Sequence, residues 1–299
     1  MNPRIAAALW LVAALSSPCA VLAQDTFQAE AGLSYSRFKS DNLRTNQAGA
    51  NATYYFDKLP TRPDYPFEQA QFAERTASLG ANYAWTSSDI SGLDKVSDGS
   101  IYGASAIFAR PGSPFIATAA YSSLKGGKFR TPGTSQETES DARLYQVSAG
   151  LYVARTTDVL LTWARGTSDS KSTGSATQTS TSTLVGISGE HLMRLPMGDY
   201  FAFTAGVFQD TREQQNAPSE KNHDYVFQAT YYPTHMLGIT AGVQLNRGDD
   251  NLAEGETYSA GVRMFFTPAF STSLDYRHFA AKATNNDDDR IALRAALRF

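Results

Sequence analysis

The residues in this chain with the widest chemical reach are its histidines and its acidic runs. Its histidines are His191, His223, His235 and His278, and His223 stands directly before Asp224. A histidine acting as a general base needs a carboxylate to orient its ring. Neighbours in a strand point to opposite faces, however, so His223 and Asp224 are expected not to pair. No G-x-S-x-G or H-E-x-x-H spacing accompanies them, and no catalytic residue is assigned. Asp249-Asp250 and Asp287-Asp288-Asp289 offer the oxygen ligands a divalent cation takes, which would let them bridge lipopolysaccharide. Such runs are more simply read as solvated loops. No metal and no cofactor is assigned.

A second set of charges points to electrostatics in place of reaction chemistry. By strand parity Arg263, Arg277 and Arg294, on three consecutive predicted strands, share one face with Asp275 and with Glu30 of the first strand. Arg294 and Glu30 lie at similar distances from the ends of their strands and are expected to approach one another across a closing seam, within the stagger of a barrel. Two readings follow equally from the need to pair or hydrate an enclosed charge. One is a charged wall that orients small polar solutes in a pore; the other is a set of structural ion pairs.

The elements that must carry these residues are strands. In the last ten residues Ile291, Leu293, Ala295, Leu297 and Phe299 alternate with Arg290, Arg294 and Arg298, so one face suits lipid and the other water. A strand alternating up to a terminal aromatic resembles the C-terminal assembly signal of bacterial outer-membrane barrels, with Leu293, Leu297 and Phe299 as its apolar members. The same period of two recurs from Phe27, Ala29, Ala31, Leu33 and Tyr35 onward. About fourteen strands of roughly ten residues follow, a length that spans a bilayer when tilted. The predicted fold class is all-β, an antiparallel up-and-down transmembrane β-barrel.

The connections sort into two alternating classes. Those near Asp41, Lys95, Ser135, Gly174, Gln215, Asp250 and Asp287 are polar and mostly long, and the Ser/Thr-rich run 168–181 reads as a mobile hairpin loop whose end merges into a Thr-rich strand. Those near Pro63, Pro111, Thr156, Pro196, Pro233 and Pro268 are mostly short. This sorting is expected of long extracellular loops and short periplasmic turns, and a Greek-key sandwich has no reason to produce it. The 58–68 turn breaks the rule by its length, and is expected to cap the barrel or hold a small plug. Aromatics near the connections, among them Tyr55, Tyr152, Tyr200, Tyr232 and Phe265, are expected to anchor at the lipid headgroups.

The ends and the composition fix the compartment and exclude some functions. Arg4, the apolar stretch from Ile5 to Leu15, and Val21-Leu22-Ala23 before Gln24 read as a signal peptide over residues 1–23, leaving one barrel domain over 24–299. The single cysteine, Cys19, falls inside that segment; Ser16-Ser17-Pro18 before it is a poor match to a lipoprotein site. The exported chain would then have no thiol, and the sheet alone must hold it. With 17 Phe, 15 Tyr, only 18% charged residues and a net charge of −3, the composition suits a barrel and gives no footprint for nucleic acid.

The segments Tyr54-Tyr55-Phe56-Asp57 and Phe67-Glu68-Gln69-Ala70-Gln71-Phe72-Ala73-Glu74-Arg75-Thr76-Ala77-Ser78-Leu79 resemble the second- and third-strand region of the putative general bacterial porins. The resemblance implies a Gram-negative outer-membrane pore and carries over no ligand or catalytic residue. The expected function is passive diffusion of small hydrophilic solutes, without turnover. The alternative is a non-conducting structural or adhesive barrel that binds lipopolysaccharide or a host surface through its loops. Expected partners are outer-membrane lipid and lipopolysaccharide, the barrel assembly machinery and small polar solutes.

Overall fold

The computed structural model describes residues 26–40, 43–61, 64–90, 97–130, 137–172, 177–214, 218–248, 254–281 and 287–299. The signal segment expected over 1–23, and Asp249-Asp250, lie outside the described residues. The first seven strands are β1 (Thr26–Ser40), β2 (Leu43–Pro60), β3 (Ser78–Ile90), β4 (Ser97–Ala109), β5 (Phe115–Arg130), β6 (Glu137–Ala154) and β7 (Thr157–Ser172). The second seven are β8 (Gln178–Arg194), β9 (Tyr200–Gln214), β10 (Glu220–Thr234), β11 (Leu237–Gly248), β12 (Gly255–Thr267), β13 (Phe270–Ala281) and β14 (Asp287–Arg298). Each pairs antiparallel with its sequence neighbours, and β14 pairs with β1, so that fourteen strands close into a barrel. Closure removes every sheet edge, which a strand protein in lipid requires.

The alternation read from the sequence becomes two surfaces. Leu79, Tyr83, Phe108, Phe115, Leu161, Trp163, Ile187, Ile291 and Leu293 stand exposed on the outer face. Against lipid each such side chain contributes on the order of 2 kcal/mol relative to water. The inner face carries Ser, Thr, Asn, Gln and Gly, joined across strands by bonds such as Ser148 to Thr162 at 2.9 Å and Thr230 to Thr240 at 2.9 Å. The end bearing both barrel termini and the short turns is the periplasmic end by the usual plan of such barrels. Two of these turns need the left-handed backbone that glycine adopts freely, at Gly112 (φ 79°) and Gly198 (φ 94°).

Three expectations need correction. The strands run to between 12 and 18 residues, because hairpins continue past the bilayer into solvent. The stretch expected as a loop over 168–181 is partly strand, with Thr138 bonded to Ser172 at 2.8 Å and Thr179 to Asp169 at 2.7 Å. Phe27 does not share the outer face of Ala31, Leu33 and Tyr35. A bulge between Phe27 and Ala29 shifts the register, and Phe27 is buried in a cluster with Tyr55, Leu59 and Tyr65.

Candidate functional site

Between β2 and β3 the chain turns into the barrel mouth. A single 3-10 turn, Phe67–Gln69, leads into a short helix α1 (Ala70–Glu74), too short to be stable without its surroundings. It ends at Arg75, whose φ of 54° and ψ of 51° are left-handed and whose backbone N–H returns to the carbonyls of Gln71 and Phe72. The segment is fastened to widely separated parts of the ring. Phe67 N–H donates to the His235 carbonyl at 3.0 Å, and His235 Nδ1–H donates to the Tyr65 carbonyl at 3.0 Å. Arg75 donates to the carbonyls of Ser113 at 3.2 Å and Ala154 at 2.9 Å, and lies 4.2 Å over the Tyr152 ring. Arg263 pairs with Glu68 at 3.0 Å, Gln69 donates to the Tyr232 hydroxyl at 3.1 Å, and the Tyr200 hydroxyl donates to the Asp64 carbonyl. Burial, reinforced by a hydrogen bond to Glu74, pushes the Tyr65 phenol up from its ordinary range, so it stays a donor. These anchors come from β6, β9, β10, β12 and two periplasmic connections, so the segment lies across the mouth as a plug.

The aromatics expected at the headgroups divide accordingly. In the doublets Tyr54-Tyr55, Tyr231-Tyr232 and Phe265-Phe266 the first or last ring is exposed outside, while Tyr55, Tyr232 and Phe265 are buried inside. Tyr152 and Tyr200 are buried too. Neighbours on a strand face opposite ways, so a doublet at this end can serve lipid with one ring and the plug with the other. Phe265 meets Phe67 edge-to-face at 5.5 Å, and Tyr152 meets Phe72 at 5.8 Å.

Arg298 is the hub of the closure. Its Nε donates to Glu30 at 2.7 Å and its Nη1 to the Phe67 carbonyl at 3.0 Å. Its guanidinium lies 4.7 Å from the Phe27 ring centroid and 4.6 Å from that of Phe265. The partner expected for Glu30 was Arg294. The observed register sets Glu30 opposite Arg298 and Ser34 opposite Arg294, and Arg294 instead approaches Asp275 at 3.9 Å. The barrel's stagger, which composition and parity leave free, decides between them.

Above the plug, inward charged side chains are more exposed than those beside it. The side chains of Arg294 and Asp275 face inward and remain 59% and 45% exposed, whereas those of Arg298 and Glu30 beneath the plug are 7% and 14% exposed. Arg277 and Arg290 stand directly opposite one another on β13 and β14, and Arg290 also donates to the Ser36 hydroxyl at 3.4 Å. A further inward group joins Asp210 to Arg212 at 2.8 Å, with Asp224 held by Asn222 at 3.1 Å. His223 is exposed on the outer face while Asp224 turns inward, so the two do not meet. Asp289 binds His278 at 3.0 Å and the Tyr276 hydroxyl at 2.7 Å on the outer face. Among the described residues no cluster of His, Cys, Asp or Glu could hold a metal ion.

The terminal strand presents Leu293 and Phe299 exposed to the outside, with Leu297 on the same face. Phe299 also zips the seam: its carbonyl accepts from the N–H groups of Gln28 at 3.0 Å and Ala29 at 2.8 Å, and its own N–H donates to Ala29 at 2.9 Å. Deleting Phe299 removes all three bonds together with the terminal aromatic. The expected result is a fall of at least about tenfold in folded, heat-modifiable barrel recovered from outer membranes, scored on unboiled gels, since three lost bonds at about 1 kcal/mol each exceed the roughly 1.4 kcal/mol of a tenfold change.

Glu68, Gln69, Arg75 and Arg298 carry the plug, and of these Arg298 has a sequence signal of its own, its place on the charged face of the last strand. Doubled aromatics beside a long periplasmic connection were the signal for the rest. No curated protein matches the sequence at a significant level. Among solved structures, the outer-membrane protein Omp33 of Acinetobacter baumannii superposes with a TM-score of 0.54 at 18% identity, over 92% of this chain and 99% of that one. A deletion mutant of the TodX monoaromatic hydrocarbon channel superposes with a TM-score of 0.51 at 10% identity, over 92% and 91%. At such identities these likenesses concern the fold. The family profile described as putative general bacterial porin matches residues 4–171, more than half of the chain; the chain belongs to that family, as an outer-membrane β-barrel of fourteen strands.

Proposed function

We propose that the chain is a passive, non-enzymatic pore for small hydrophilic solutes in the bacterial outer membrane, open as a vestibule on the outside and narrowed at the periplasmic mouth by its plug. The observation that carries this is the contrast within one charged wall: Arg294 and Asp275 are 59% and 45% exposed, while Arg298 and Glu30 are 7% and 14% exposed. Inward charges reachable by water mean a hydrated lumen, and buried ones mark where it narrows. A fourteen-stranded barrel is wider than the eight-stranded kind that side chains fill. Swelling of proteoliposomes in sugars of graded size tests this. Rapid entry of a pentose with slow entry of a trisaccharide is expected, and equal impermeability to both would overturn it.

The tied-down plug favours a second reading, a closed structural barrel that meets lipopolysaccharide or a host surface through its loops. In either case a cleaved signal peptide delivers the chain and the assembly machinery reads its last strand. Ion preference separates an open charged wall from a purely structural one. Arg294→Ala leaves insertion intact and removes one exposed positive charge, so the ratio of anion to cation permeability falls. In a potassium chloride gradient the reversal potential then moves toward the potassium value, and an unmoved potential would leave Arg294 a structural ion-pair member.

A further inference from the structure

We infer that the lumen selects small organic anions that carry an apolar group, such as aryl or medium-chain carboxylates, gripping the anionic end on β13 and β14 and the apolar end on β5 to β7. This inference rests on the pore reading above. Three observations support it.

First, the extracellular half of one wall concentrates positive charge. Arg277 and Arg290 are register partners, and Arg294 lies two inward positions further along β14. Like charges placed directly opposite one another oppose pairing. Asp275 answers Arg294, at 3.9 Å, and no carboxylate pairs with Arg277 or Arg290 among the described residues. An anion between them would relieve the repulsion.

Second, the wall across the lumen holds an apolar patch. A recess of about 330 Å³ is lined there by Ile101, Leu124, Ala142, Leu144 and Gly166 with flanking serines and Thr167, and by Arg143, whose strand parity is that of the outward Tyr145 and Val147. Register builds it: Ile101 faces Leu124, Leu124 faces Ala142, and Leu144 faces Gly166. A Cβ at Gly166 would meet nothing closer than 3.8 Å, so the missing side chain leaves floor space. Leucines turned into a hydrated lumen gain nothing from water and would gain from an apolar solute.

Third, the two walls oppose each other. In a ring of fourteen strands, β6 and β7 lie diametrically across from β13 and β14. Strand spacing and tilt put facing backbones roughly 25 Å apart, and long side chains narrow the gap to roughly 10–15 Å. A solute with a carboxylate at one end and a ring or alkyl chain at the other can address both walls as it passes. An inorganic anion uses only the arginines, and a neutral apolar molecule only the recess.

The test is block of the chloride current through the signal-free chain in planar bilayers, with benzoate and acetate as probes. Benzoate is expected to block at a concentration about threefold lower than acetate, as partial burial of a ring against the recess allows. Leu124→Ser with Leu144→Ser should bring the two blocking concentrations together while leaving acetate unchanged. Arg277→Gln with Arg290→Gln should weaken both by roughly tenfold. Equal block by the two probes in the wild type, or a ratio that survives the leucine changes, would overturn the inference and leave the pore standing. A folded barrel without current would overturn the pore reading. Calorimetric titration of the detergent-solubilised barrel with benzoate then decides the rest: binding weakened about threefold by the leucine changes and about tenfold or more by the arginine changes upholds the two-walled site, and no binding in the wild type overturns it.

Discussion

Replacing residues 64–76 by a short glycine-serine link is expected to raise the unitary conductance roughly threefold and let larger sugars through, while the strand pairing of the barrel stays as it is. The size of the effect follows from where the segment lies. The Phe67–Gln69 turn and α1 fill a mouth whose backbone ring is roughly 25 Å across by strand spacing and tilt, so the plug, and not the β-sheet, sets the narrowest cross-section. The barrel survives because the plug supplies no ladder bonds. Every strand keeps both neighbours without it, β2 pairing β1 and β3 over nearly its whole length. What is lost is a shell of inward aromatics, since Tyr55, Tyr232 and Phe265 become wetted and the unfolding midpoint in urea falls. Current unchanged from the wild type in a folded deletion variant would show that the constriction lies elsewhere.

Arg298→Ala has the largest expected effect on stability, about 3–5 kcal/mol. Glu30 accepts from Arg298 at 2.7 Å with its side chain only 14% exposed, so truncation strands a carboxylate in a place made for an ion pair. The same change deletes the donor to the Phe67 carbonyl and the cation between the Phe27 and Phe265 rings, a contact worth on the order of 1 kcal/mol when desolvated. Equilibrium unfolding of purified barrel in urea reads the loss. The double change Arg298→Met with Glu30→Gln should recover most of it, because a buried pair replaced by groups of similar volume costs little. A double variant as weak as Arg298→Ala would mean that plug contact, and not the stranded charge, dominates.

Most of the wall was legible in the amino-acid sequence, because a strand between lipid and water must alternate and each side chain's face follows from parity alone. Ile291, Leu293 and Phe299 outside and Ala292 and Ala296 inside are that rule at work, and the turns carry their prolines and glycines for reasons of φ. Parity does not carry register. Glu30 meets Arg298 four residues away from the Arg294 expected, because shear depends on all fourteen strands together. Nor does a period of two reveal a five-residue helix: Ala70–Glu74 has no amphipathic repeat long enough to read and is shaped by the mouth it fills. The bulge at Phe27 hid a core residue for the same kind of reason, a one-residue slip that turns a side chain from lipid to plug. Parity turns Leu124 and Leu144 inward, opposite in face to Phe115 and Val147, but only the ladder sets them on adjacent strands at one level and so forms the recess.

The most direct test of a hydrated lumen narrowed at its periplasmic mouth is single-channel recording of the purified barrel, wild type beside the variant lacking residues 64–76. Discrete ohmic steps in both, larger in the deletion, are the predicted result. A barrel that is folded by its heat-modifiable mobility, yet carries no current with or without the plug, would contradict it.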